Sequence, residues 1–125
     1  MNGMEGLRGK RILVAEDEYF IADAVVEMLE EEGAVVVGPV ATVDAASRLA
    51  AAQETGLDAA LLDVNLNGRM IWPVLDLLAE RGVPVVLATG YEAGAVPQAY
   101  SHLPRCEKPV MVRDLLRTLA KRISP

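Results

Sequence analysis

The stretch RILVAEDEYF, residues 11–20, decides how the rest of the chain is read. Five residues fit a buried strand, and the chain then runs without a break into three acids, Glu16, Asp17 and Glu18. Carboxylates crowded at a strand end have two readings. They can begin a helix, where negative charge is favoured by the helix dipole, or they can hold a cation. Which applies depends on what else folding brings to that end of the strand.

Outward from this point, apolar runs and helical patterns alternate. The helix after the acids is expected over 19–32, with Ile21, Val25, Met28 and Leu29 inward and Gly33 as its stop. AVVVG (34–38) is a second buried strand, and Thr42 caps a helix whose inner face is Val43, Ala46, Leu49 and Ala50. DAALLD (58–63) is a third strand. The loop VNLNG leads from it to a helix with Ile71, Val74, Leu75 and Leu78 inward, Pro73 in its first turn and Gly82 as its stop. VPVVLA (83–88) is a fourth strand. The segment beyond it contains Gly94 and Pro97 and is expected to be a short, poorly formed helix. A short fifth strand over 105–107 precedes a last helix over about 110–123, which buries Val112, Leu115, Leu116, Leu119 and Ile123. Unbroken apolar strands indicate burial on both faces. The pattern is therefore a doubly wound α/β domain, (βα)5, over 10–124, behind a flexible segment 1–9.

Bulk properties narrow the function. Twelve basic against eighteen acidic residues give a net charge of −6, which disfavours direct nucleic-acid binding. The basic stripe of Arg113, Arg117, Lys121 and Arg122 reads as a solvated helix face. No apolar run approaches the roughly 18–20 residues of a membrane span, and the N-terminus lacks the apolar core of a signal peptide. The expectation is a cytoplasmic protein with no membrane partner. A lone cysteine, Cys106, excludes an intrachain disulfide, and His102 has no Cys at ligand spacing.

In open parallel sheets, functional groups gather at the carboxyl ends of the strands. Here those ends carry Glu16 and Asp17, Asp63, Thr89, and Lys108. Clustered carboxylates repel by several kcal/mol at about 4 Å. They require cations, which Lys108 and a hard, oxygen-seeking ion such as Mg²⁺ can supply. A hydroxyl and an ammonium facing a carboxylate beside Mg²⁺ suit phosphoryl transfer, with Asp63 as the nucleophile that becomes an aspartyl phosphate. Singly, Asp17 could cap a helix, Thr89 could satisfy a loop amide and Lys108 could be surface decoration; Glu18 is assigned to the helix dipole.

The acid pair Glu16-Asp17, LLDVNLNG around Asp63, LATG with Thr89 and EKP with Lys108 together resemble the receiver domain of bacterial two-component response regulators. The resemblance implies a flavodoxin-like fold of strand order 2-1-3-4-5. It implies that Asp63 receives its phosphoryl group from a histidine kinase or histidine phosphotransfer protein. Mg²⁺, with Mn²⁺ as a substitute, would be held by Glu16, Asp17, Asp63 and the backbone carbonyl of Asn65, Glu16 acting through water. The Lys108–Pro109 bond would be cis. Such a domain is a signalling module that promotes its own phosphorylation and dephosphorylation, and is not an enzyme in the ordinary sense. With no output domain in these 125 residues, the signal is expected to leave by contact with a protein partner through the face of helix 4, strand 5 and helix 5, unless the chain is a fragment of something longer.

Two departures stand out. Arg105 occupies the strand-five position where the family commonly has an aromatic switch residue. PVVLATGYE resembles the Phe-Ala-Thr-Gly-Tyr subgroup of free-standing receivers, with Leu87 for the phenylalanine, which suggests that Tyr91 shares the switch with Thr89. The rival readings are a phosphate-independent docking or dimerisation module and an aspartyl-phosphate phosphatase, which would want an acid where Asn65 stands. A flavin or nucleotide binder would want a Gly-rich first loop instead of three acids.

Overall fold

In the computed structural model, residues 3–89, 96–107 and 112–123 are described. The chain runs β1 (Arg11–Ala15), α1 (Tyr19–Glu31), β2 (Val35–Val40), α2 (Val43–Ala51), β3 (Ala59–Asp63), β4 (Asn65–Leu66), β5 (Arg69–Met70), α3 (Trp72–Glu80), β6 (Val85–Thr89), β7 (Arg105–Glu107) and α4 (Val112–Ile123). Five strands form one parallel sheet in the order β2-β1-β3-β6-β7, and β4 and β5 pair separately as an antiparallel hairpin. With the hairpin set aside, this is the expected order 2-1-3-4-5.

The core divides into two layers, one on each face of the sheet. Leu13, Ala15, Leu62 and Leu87 point with α2 and α3 into one layer; Ile12, Val14, Leu61 and Val86 point with α1 and α4 into the other. This alternation along single strands explains why they read as continuous apolar runs: both faces need covering. Thr42 caps α2 as expected, its Oγ1 accepting the Ala45 amide at 3.1 Å. Pro73 lies in the first turn of α3, and Leu115, Leu116 and Leu119 of α4 are buried.

Three expectations change, and a fourth is seen only in part. β2 extends to Val40, passing through Gly38 and a cis Gly38–Pro39 peptide, and its burial is mixed, with Val35 44% exposed. The reason is its place at the sheet edge, where only β1 is a neighbour. The loop after Asp63 is a hairpin. The segment 1–9 contains a 3-10 turn, Glu5–Leu7, and buries Met4 and Leu7 in the α1–α4 layer, so residues 4–9 pack with the domain body. Of the expected fourth helix, the described part is a single 3-10 turn, Gln98–Tyr100, so four α-helices are seen among the described residues.

That turn is tied to α3. The ring of Tyr100 stacks on Trp72 (centroids 5.2 Å, planes 7° apart), and its hydroxyl donates to Asp76 Oδ1 at 2.7 Å. The hydrogen bond to Asp76, with partial burial and the nearby negative charge, raises the phenol above its ordinary value.

Gly38 sets how β2 leaves the sheet. Its φ is +103°, and a Cβ there would lie 2.9 Å from Val14 O and 3.1 Å from Val40 N. Gly38→Ala should lower stability by roughly 1–3 kcal/mol, measured as a fall in the urea midpoint at unchanged slope.

Candidate functional site

The site begins with strand register. Ala15 pairs with Leu62, so the residues that follow, Glu16 and Asp63, leave adjacent strands side by side. Both then turn the chain in the same manner. Glu16 Oε2 accepts the amide of Glu18 at 3.1 Å, and Asp63 Oδ1 accepts that of Asn65 at 3.1 Å. A carboxylate bonded to the amide two residues on is a local turn that competes with further strand. The Glu16 amide is in turn held by Val40 O at 2.9 Å, and the Val64 amide by Ala88 O at 3.0 Å.

Asp17 is oriented from farther away. Its Oδ2 accepts the backbone amide of Asn67, in the β4–β5 turn, at 2.8 Å. The capping alternative for Asp17 is not what the structure has: Glu18 is the N-cap of α1, in extended conformation and with no side-chain capping bond. Glu18 is exposed, as suits a charge placed for the helix N-terminus.

The result is a cluster of Glu16, Asp17 and Asp63 whose carboxylate oxygens lie within 4.8 Å of one another. Glu16 is 7% and Asp63 5% exposed, while Asp17 is half-buried. At such spacing each like-charged pair repels by about 3 kcal/mol at an effective dielectric near 20. A donor set made only of carboxylate oxygens fits a hard divalent cation and does not suit zinc. The Asn65 carbonyl, expected as a further ligand, belongs to the residue whose amide holds Asp63.

The remaining expected site residues are distributed as follows. Asp63 pairs with Ala88, which places Thr89, the last residue of β6, one step beyond the acid's partner. Arg105 opens β7 opposite Leu87, and its side chain is exposed. Tyr91, Lys108 and Pro109 lie outside the described residues.

One contributor went unread in the sequence: the hairpin. Asn67 and Gly68 both have positive φ (53° and 90°), the arrangement of a tight two-residue hairpin turn. Asn-Gly is the usual sequence of that turn. The short flanking strands, Asn65–Leu66 and Arg69–Met70, left little alternation to support it.

Beside the cluster, a groove of about 230 Å³ is lined by Glu16, Asp17, Tyr19, Pro39, Val40 and Ala41. Tyr19, which lines it, and the neighbouring Phe20 are 75% and 86% exposed, with their rings edge to face at 5.8 Å.

The crowding of three acids has a direct consequence for stability. Asp17→Asn keeps an oxygen for the Asn67 amide and removes one charge from the cluster. In chelator and at low ionic strength it should stabilise the protein by about 1–3 kcal/mol, with the gain shrinking as salt is added. Denaturant titrations at two salt concentrations would measure this.

No protein-family model matches the chain, and no curated protein matches it. Among solved structures, SdrG from Sphingomonas melonis Fr1 is 36% identical, with a TM-score of 0.76 over 93% of this chain and 98% of that one. The BeF3-activated conformation of SdrG, from Pseudomonas melonis Fr1, is also 36% identical, with a TM-score of 0.72 over 91% of this chain and 96% of that one. A CheY-like response regulator receiver domain protein from Methanospirillum hungatei JF-1 is 26% identical, with a TM-score of 0.78 over 92% and 94%. Among the described residues no helix is long and apolar enough to cross a membrane. With its 2-1-3-4-5 parallel sheet, its acids at the ends of the first and third strands and this likeness along nearly its whole length, the chain belongs to the response regulator receiver domains of two-component signalling.

Proposed function

We propose that Asp63 is a phosphoacceptor that takes its phosphoryl group from a histidine kinase or histidine phosphotransfer protein. The observation that carries this reading is the convergence of Glu16, Asp17 and Asp63 within 4.8 Å at the carboxyl ends of adjacent strands. An Asp63 oxygen attacks phosphorus, the phosphorus–nitrogen bond of the donor breaks, and the imidazole leaves with its electron pair and takes up a proton. The product is an acyl phosphate, and water attack on it later releases inorganic phosphate and restores the carboxylate. Bound Mg²⁺, or Mn²⁺ in its place, would neutralise charge on the transferring oxygens. Glu16, Asp17, Asp63 and the Asn65 carbonyl are the residues that would hold it. The BeF3-activated conformation of SdrG supports the same chemistry here.

In this reading Thr89 and Lys108 bind the phosphoryl oxygens, and the phosphoryl group adds about −1.5 to −2 charge at Asp63. With Arg105 at the usual aromatic position, Tyr91 shares the switch with Thr89, a reading supported by the resemblance of LATGY to the Phe-Ala-Thr-Gly-Tyr subgroup. The altered surface, formed by the segment after β6 together with β7 and α4, is read by a downstream protein in the cytoplasm. Incubation with acetyl phosphate or a phosphorylated kinase should give an Mg²⁺-dependent, hydroxylamine-labile adduct of one phosphoryl group, visible by intact mass. Its absence would favour a docking module that works without phosphate, and its persistence in Asp63→Asn would overturn Asp63 as the phosphoacceptor.

The exposed Tyr19–Phe20 pair supports a protein donor. Two large aromatic rings on the surface are suited to cover by a partner, and Tyr19 lines the groove that contains Glu16 and Asp17. The double variant Tyr19→Ala, Phe20→Ala should slow phosphotransfer from a protein donor about tenfold or more. Its rate with acetyl phosphate should stay within about twofold. Equal loss with both donors would place the aromatic pair in the chemistry instead of in docking.

A further inference from the structure

The β4–β5 hairpin is fastened on several sides. Leu66 is 1% exposed in the core; Asn67 Nδ2 donates to Ala41 O at 3.3 Å; Arg69 pairs with Asp44 at 3.0 Å; and the Gly68 amide donates to Asn65 Oδ1 at 2.7 Å. Besides the Asn65 amide on Asp63, this fastening presents a second backbone N–H to the acidic cluster, that of Asn67, 2.8 Å from Asp17 Oδ2. Asp17 needs such a donor. A half-buried carboxylate with two others within 4.8 Å is pushed toward solvent by their charge. A charge-assisted bond to a fixed amide opposes that push. A carboxylate has about four lone-pair sites on its two oxygens, so one accepted bond leaves capacity for a cation.

We propose that Asn67 is a positioning residue for the cation site: its amide, fixed in a left-handed turn, holds the Asp17 carboxylate in place and so sets the affinity for Mg²⁺. This rests on the reading of Glu16, Asp17 and Asp63 as an Mg²⁺ site. It assigns the hairpin a task separate from closing the chain between β3 and α3. It also gives a reason for asparagine at 67: the residue tolerates positive φ, and its side chain anchors the turn on Ala41.

The test separates affinity from fold. Asn67→Val disfavours the left-handed conformation and withdraws the amide; Asn67→Gly keeps both conformation and amide and loses only the Ala41 anchor. By calorimetric titration with Mg²⁺, the valine variant should bind about tenfold more weakly and the glycine variant within about threefold of wild type. In acetyl phosphate labelling, the half-saturating Mg²⁺ concentration should rise by the same factor, with the plateau rate unchanged. Thermal unfolding in chelator reports damage to the fold independently. If Asn67→Val does not fold, the α-hydroxy acid analogue of asparagine at position 67 removes the donor alone and should show the same loss. A lowered melting temperature with wild-type Mg²⁺ affinity would overturn the proposal and leave the hairpin a purely structural role. Failure of the wild-type protein to bind Mg²⁺ would instead overturn the cation site, and this inference with it.

Discussion

Mutual repulsion among three carboxylates is the constraint around which this domain is arranged. The parallel register that sets Ala15 against Leu62 forces Glu16 and Asp63 together, and the chain reversal after β1 adds Asp17. Against a total stability of about 5–15 kcal/mol for a domain of this size, such a cluster is a substantial burden. It persists because the surrounding structure leaves the acids little choice. Two of them are locked by amides two residues on, and the third by an amide fifty residues away. The buried apolar faces of β1 and β3 hold those amides in place from both sides of the sheet.

The same arrangement explains what was legible in the sequence. Strands buried on both faces announce themselves as apolar runs, and the polar residues that end them mark the functional edge of the sheet without any knowledge of which strands are neighbours. Glu16, Asp17 and Asp63 could be grouped because the rule about strand ends is topological and needs no side-chain geometry. The helices were readable for a similar reason: Val25 and Leu29, or Val74, Leu75 and Leu78, repeat at helical spacing and are buried as that spacing requires.

What escaped the reading shares one property, namely stabilisation by distant contacts in place of local pattern. Met4 and Leu7 carry no period, yet they are buried against the α1–α4 layer. The pairs Asn65–Leu66 and Arg69–Met70 are too short to alternate; the Asn67–Gly68 turn that joins them is secured by Ala41, between β2 and α2, and β5 by Asp44 of α2. The half-exposed character of β2 depends on its being an edge, a fact of strand order that its VVV run cannot express. The link between Tyr100 and α3 pairs residues far apart in the chain, the aromatic ring on Trp72 and the hydroxyl on Asp76.

The edge strand β2 has a further significance. An exposed strand edge offers unpaired main-chain groups to any other chain in an extended conformation. Here that edge is interrupted by Pro39, which has no N–H to give, and by the shift of register between Leu13 and Ala15 around Gly38. A foreign strand could not follow β2 along its length without losing bonds at the break. The residues that bend β2 so that Val40 can hold Glu16 therefore also discourage self-association through this side of the sheet, and solubility and site geometry are served by the same few atoms of backbone.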